Sequence, residues 1–120
     1  MMLHNALKEA IDVQFAQAIT EPTERCQDAL LVRLSNGVVI EIRIASAQDY
    51  AISWRWGDVE LRIDTAPLHP QLATFPNHLH TDTGQLLSDP LTHHGCDPWT
   101  NISTVIAALI DDPLLQSHRE

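Results

Sequence analysis

The residues of this chain best suited to chemistry lie between Arg62 and His80, a segment that carries an arginine, an aspartate and three of the seven histidines. His78 and His80 form an H-x-H pair, so on an extended backbone their side chains project to the same side. Neutral histidine titrates near physiological pH and often carries protons in enzymes. With Arg62, the pair has the groups for cleaving RNA without a metal ion: a base for the 2′-hydroxyl, an acid for the leaving oxygen and a cation for the phosphorane.

Asp64 and His69 complete the candidate catalytic set of Arg62, Asp64, His69, His78 and His80. Asp64 follows Arg62 by two residues, so the two side chains share one face of an extended strand. We expect Asp64 to pair with Arg62; orienting a histidine is the alternative role. The alternative for the histidines is structural, as loop residues that hydrogen-bond backbone carbonyls.

The same side chains form a candidate metal site. Asp64, His69, His78 and His80 offer the carboxylate and imidazole groups that bind zinc. Structural zinc is disfavoured because the chain has only two cysteines. We therefore expect no metal ion and no other cofactor.

The histidines lie on a loop that the sequence makes stiff. Pro67, Pro70 and Pro76 fix the backbone φ at three points and bias the residues before them toward extended conformations. Stiff polar loops that follow a strand are common positions for functional sites.

Alternating apolar residues predict the sheet that carries this loop. Over residues 28–63 the apolar period is two, with turn residues between the runs. The pattern predicts four antiparallel strands in a meander, and Asn36-Gly37 predicts a hairpin with a type I′ turn. Trp54 and Trp56 share the apolar face, which places them in the core or at a dimer interface.

Two helices are predicted to flank the sheet. Apolar residues recur every four positions from Leu3 to Ile19, which is typical of one helix face, and Pro22 ends this helix. A second helix is predicted between a cap at Thr100 or Asn101 and a break at Pro113. We expect residues 81–99 to be loop with one short strand at residues 85–87, and the tail from residue 116 to be frayed.

These elements predict one α+β domain over residues 1–120. Its architecture is an antiparallel β-meander of four or more strands, with N- and C-terminal helices packed on one face. The opposite face collects four of the six arginines. Arg33, Arg43 and Arg55 would lie there beside Arg62 and are the candidate substrate-binding residues, because a guanidinium binds phosphate bidentately and stacks on bases. Cross-strand ion pairs with acidic residues on the same face are the alternative interpretation.

The net charge bears on these alternatives. Seven lysines and arginines against sixteen aspartates and glutamates give −9. Such a protein repels nucleic acid overall, so RNA binding needs a local basic patch or a nucleic-acid-binding partner. The longest apolar run, residues 105–110, is much shorter than the ~20 residues that cross a bilayer. We expect a soluble cytoplasmic protein without a membrane partner.

The histidine segment also resembles a family motif. Residues 62–70 read RIDTAPLHP and residues 74–80 read TFPNHLH. They are similar to R-Y-D-N-A-P-H-H-P, a short spacer and T-F-P-H-H-K-H, the pattern of the TumE-like family of small prokaryotic toxin–antitoxin proteins. This chain departs from the pattern at Thr65, Leu68, Asn77 and Leu79, where the family has an asparagine, two histidines and a lysine.

The resemblance implies a toxin component that acts on RNA or the translation machinery and is held in check by a cognate antitoxin. RNA, an antitoxin protein and a second copy of the chain are the candidate partners, and the residues suggest a metal-independent ribonuclease. One alternative is a non-catalytic interaction protein, a diverged family member whose sheet binds another protein. The other is a small metal-binding domain.

Overall fold

The chain forms a seven-stranded antiparallel sheet with a helix near each end. The computed structural model describes residues 2–119, and side chains from residue 3 onward. The elements are α1 Met2–Gln14, β1 Glu24–Cys26, β2 Ala29–Arg33, β3 Val39–Ser46, β4 Asp49–Trp56, β5 Val59–Asp64, β6 His78–His80, β7 Leu86–Ser88, α2 Pro98–Asp111 and a 3₁₀ helix at Gln116–His118. Each strand pairs with its neighbours in sequence, in the order β1 to β7. The predicted α+β meander is therefore confirmed.

One face of the sheet is covered by both helices and holds the apolar core. The two-residue period places alternate side chains of β2 to β5 on this face, where they pack against apolar residues of α1 and α2. The fully buried residues include Leu30, Ile40, Ile42, Ile52, Trp54, Leu61, Ile63, Ile102, Ile106 and Leu109. Burying a side chain of this size stabilises the fold by roughly 1.5–3 kcal/mol. The core therefore fixes which side chains point to the opposite, outer face.

Three strands lie beyond the four predicted ones. β7 agrees with the short strand predicted at residues 85–87, whereas β1 was not predicted. β6 contains the H-x-H pair, which the prediction placed in a loop. Its three residues pair with β5 on one side and with β7 on the other. Strands this short show too few alternations to be recognised by period.

The helix ends also differ from the prediction. α1 ends at Gln14, and the chain continues through turns to Ile19, which bridges to Leu34 of the next hairpin. α2 begins at Pro98, with Asp97 as the N-cap whose side chain accepts a hydrogen bond from the Thr100 amide (3.2 Å). Neither predicted cap was right, because proline at the first helical position shifts the cap to the residue before it.

The tail is folded rather than frayed. The 3₁₀ helix at Gln116–His118 is held by Asp112, which accepts hydrogen bonds from the amides of Gln116 (3.0 Å) and Ser117 (2.9 Å). Beyond it, Arg119 forms an ion pair with Asp82. The C-terminal segment therefore packs back against the loop before β7.

The first predicted hairpin forms with a different turn. The Gly37 amide donates to the Leu34 carbonyl (3.1 Å), and the Leu34 amide donates to the Val38 carbonyl (2.9 Å). Gly37 has φ +95°, whereas Asn36 lies outside the positive-φ region that a type I′ turn requires. The Asn36 side chain instead donates to the Leu109 carbonyl (3.0 Å) at the end of α2. Trp56, predicted to be in the core or an interface, is 40% exposed and donates to the Asn36 carbonyl (3.0 Å).

Neither helix has the length and apolar character needed to cross a membrane, within the described residues.

Candidate functional site

The strand pairing explains why the candidate residues meet. Arg62 lies directly opposite His80, and Asp64 lies directly opposite His78. Because residues two apart on a strand share a face, all four side chains belong to the outer face. The two-residue spacing in both motifs thus produces two neighbouring cross-strand pairs, Arg62 with His80 and Asp64 with His78.

Asp64 is the centre of this arrangement. It is the last residue of β5, and its side chain is only 10% exposed. Its Oδ2 accepts from Arg62 Nε (2.8 Å), and its Oδ1 lies 2.9 Å from His78 Nε2. Oδ1 also accepts from the Ala66 amide (3.0 Å). Ala66 lies at the start of the loop of residues 65–77 between β5 and β6, called here the proline loop. The expected Asp64–Arg62 pair is present, and Asp64 contacts a histidine as well.

His78 is enclosed, with 1% of its surface exposed. Its Nδ1 lies 3.1 Å from the Pro76 carbonyl oxygen, and its Nε2 faces Asp64. Both neighbours are hydrogen-bond acceptors. No ring nitrogen of His78 is left for a substrate. Its geometry is that of a residue that positions Asp64.

His80 differs from His78 because it is open to solvent, with a side chain 38% exposed. Arg62 Nη2 donates to its Nε2 over 3.3 Å, so this nitrogen carries the lone pair. Partial burial lowers the pKa of His80 below its usual value, and the nearby positive charge of Arg62 lowers that pKa further. The environment therefore favours the neutral imidazole, which can accept a proton.

His69 brings a third imidazole to the cluster from the proline loop. Its ring meets that of His78 edge-on, with centroids 5.0 Å apart, and the rings of His78 and His80 are 4.8 Å apart. His69 is half-buried. The five candidate catalytic residues Arg62, Asp64, His69, His78 and His80 thus form one contiguous group, called here the catalytic cluster.

Three of these residues have the ligand atoms for a metal ion. One ligand atom each from Asp64, His78 and His80 lies within 4.8 Å of the others, an arrangement of two imidazoles and one carboxylate. However, the Arg62 guanidinium already donates to His80 Nε2 and to Asp64 Oδ2. A metal ion bound through these two atoms would displace Arg62 from both contacts.

The candidate substrate-binding arginines all lie on the outer face, as the alternation predicted. Arg33 pairs with Glu24 (3.0 Å) and Glu21 (3.4 Å). Arg43 pairs with Asp28 (3.0 Å) and Glu41 (3.3 Å). Arg55 alone of these three has no ion pair within residues 2–119. Acidic neighbours therefore neutralise most of the expected basic groove.

The comparison with family models matches residues 5–114 to the toxin TumE family. The chain belongs to this family. Its members are toxin components of toxin–antitoxin systems, so the resemblance seen in the histidine segment is confirmed. Searches of curated proteins and of solved structures found no match.

Two departures from the family pattern point away from the catalytic cluster. Leu79 is fully buried in the core, between the two histidines that face outward. Asn77 is also buried, and its amide donates to Tyr50 Oη (2.9 Å) and Asp89 Oδ2 (3.0 Å). These two replacements therefore change no side chain on the outer face.

Sequence reasoning missed the buried polar group around Asn77. Tyr50, Asp89 and Thr92 meet there behind the sheet, and the Asp89 carboxylate accepts from the amides of Leu91 (2.9 Å) and Thr92 (3.0 Å). Burial raises the pKa of Tyr50, which keeps its hydroxyl protonated. The signal for this turn was the D-P-x-T sequence at Asp89, because aspartate before proline initiates turns. His93 and His94, predicted to be surface residues, are exposed.

Proposed function

We propose that this toxin cleaves RNA without a metal ion at the catalytic cluster. The observation that supports this function is the contact between Arg62 and His80. It places a permanent cation beside a solvent-accessible imidazole whose pKa is lowered, as a base and a phosphate-binding group require.

Cleavage would proceed by attack of the 2′-oxygen on the neighbouring phosphorus. The phosphate binds Arg62 first through Nη1 and then through Nη2, which leaves His80 and frees the Nε2 lone pair. His80 Nε2 takes the 2′-hydroxyl proton as the new P–O2′ bond forms. The P–O5′ bond breaks, and the leaving 5′-oxygen receives a proton from a ring N–H of His69, which acts as the general acid. The products are a 2′,3′-cyclic phosphate and a 5′-hydroxyl.

Asp64 and His78 act through Arg62 in this scheme. Asp64 fixes the guanidinium through Nε, and His78 fixes Asp64 from the enclosed side. Arg62 keeps Nη1 for the phosphate, since only its Nε and Nη2 have partners among the described side chains. Both positioning residues therefore matter for activity without touching the substrate.

Arg55 is the first additional substrate contact, because it lies on the outer face two residues beyond the strand partner of Arg62. Arg33 and Arg43 would contribute less, since each binds two carboxylates. A cognate antitoxin would restrain the toxin in the cytoplasm by covering this face.

The test is RNA cleavage by the purified protein in the presence of EDTA. We expect fragments that end in 2′,3′-cyclic phosphate, and a loss of about 10²–10⁴-fold in rate for His80→Ala. His93→Ala is the matched control, since His93 is an exposed histidine outside the cluster. Equal rates for wild type and His80→Ala would reject this site.

Growth gives the second measurement. Induction without the antitoxin should arrest growth, and His80→Ala or Arg62→Ala should relieve the arrest. Arrest by wild type and both variants alike would instead favour the non-catalytic alternative, in which the ion-paired outer face binds a protein.

A further inference from the structure

A cleft opens beside the catalytic cluster, at the end of the sheet where β5 leads into the proline loop. It has a volume of about 580 Å³, within the range of about 300–1,000 Å³ typical of small-molecule sites. We call it the sheet-end cleft. It shares Arg62 and Asp64 with the catalytic cluster, so a ligand in it would lie next to the proposed reaction.

Small side chains make the depression. Ala51 pairs with Arg43 on one side and with Asp64 on the other, so its methyl group leaves a gap between two longer side chains on the outer face. Ala45 and Ala66 extend this apolar surface. A flat ring could lie on the alanines with the Arg43 guanidinium stacked against it.

One carboxylate in the cleft has no partner. Asp28 pairs with Arg43 and Asp64 pairs with Arg62, so each of those charges is already compensated. Asp49 also lines the cleft, but within the described part of the chain its side chain has no ion pair and no hydrogen bond. An ionised carboxylate only accepts hydrogen bonds, through two oxygens. The cleft therefore suits a ring that presents two adjacent donors.

We propose that the sheet-end cleft binds the guanine of the nucleotide next to the cleaved bond and that Asp49 reads this base. Guanine presents N1–H and the N2 amino group side by side, which matches both carboxylate oxygens. Adenine and cytosine offer one amino group, and uracil offers one N–H, so each leaves an oxygen unfilled. The inference rests on the proposed function for the bond that is cut, but guanine binding can be measured separately.

Binding is measured first, with guanosine monophosphate and cytidine monophosphate titrated into the purified protein by NMR. We expect guanosine monophosphate to bind about 5–150-fold more tightly, the range for one good bidentate pair, with shifts at Ala51 and Ala66. Asp49→Asn should remove the preference. Asp58→Asn is the matched control, because Asp58 is an exposed residue in the turn between β4 and β5.

Cleavage is measured second, by sequencing the ends produced from a random RNA pool. Wild type should cut next to guanine, and Asp49→Asn should lose that bias while Asp58→Asn retains it. Cleavage without a base preference overturns the inference and leaves the proposed function standing. Asp49-dependent guanine binding without any cleavage supports the inference and rejects the proposed reaction. Absence of both effects overturns both.

Discussion

At the scale of single residues, His80 controls how the proposed chemistry depends on pH. Partial burial and the charge of Arg62 hold its pKa below 6.5 in the folded chain. Protonation of His80 therefore favours the unfolded chain. The free energy of unfolding falls as the pH drops below 6.5, the usual value for a histidine. We expect the NMR titration of the His80 ring to have its midpoint below 6.5.

Substituting Arg62 tests the cause of that shift. In Arg62→Ala the His80 midpoint should move upward, because one of the groups that lowers its pKa is gone. The same titration measures the variant. A midpoint that stays in place or falls would mean that burial alone sets the pKa of His80.

Asp64→Asn should lower both stability and activity. The change removes the anion that Arg62 and the buried His78 share, and leaves these donors poorly matched. We expect a loss of about 1–3 kcal/mol in the free energy of unfolding, measured by urea titration. Asp58→Asn is the control for a surface aspartate, and should change stability by less than about 0.5 kcal/mol.

The sequence predicts the neighbours of Asp64 but not the enclosure of His78. Two-residue spacing sets Arg62 and Asp64 on one face of their strand, and His78 and His80 on one face of theirs, whatever the rest of the chain does. Enclosure depends on how the proline loop returns across the end of the sheet, which places His69 against His78. That contact is tertiary, so no local sequence pattern predicts it.

At the scale of elements, removing an aspartate should change stability in opposite directions at the two ends of α2. Asp97→Ala removes the acceptor for the Thr100 amide and should cost about 0.5–2 kcal/mol in urea unfolding. Asp111→Ala removes a negative charge from the last residue of the helix, where the dipole disfavours it. That variant should be neutral or more stable by about 0.3–1 kcal/mol. Equal losses for both would argue against the assigned cap.

The cap also shows which sequence signals were available and missed. D-P-x-T occurs twice, at Asp89 and at Asp97, and in each case the aspartate accepts from an amide three residues on. Proline at the first helical position would have located the start of α2. The strands of the meander were predictable because their alternation extends over many residues, whereas β1 and β6 have three residues each.

At the scale of the whole molecule, a charge of −9 limits how RNA can bind. Among the residues that the structure describes, only Arg55 and Arg62 have donors on the outer face that carboxylates do not largely occupy. We expect the logarithm of the RNA association constant to fall with the logarithm of salt concentration at a slope of about −1 to −2. Arg55→Ala should reduce that slope by about 0.7, and Arg33→Ala by less. A wild-type slope steeper than about −4 would contradict this expectation and support the broad basic groove predicted from the sequence.

The strictly sequential order of the seven strands has a consequence for synthesis. Each strand pairs only with strands adjacent to it in the chain, so loop closures are short and folding can follow the growing polypeptide from its N-terminus. β6, with both outward-facing histidines, is complete only at about two thirds of the chain length, and α2, which completes the core, follows it. On the proposed function, a nascent toxin therefore cannot cleave RNA until β6 has been made, and we expect a chain truncated before β6 not to arrest growth.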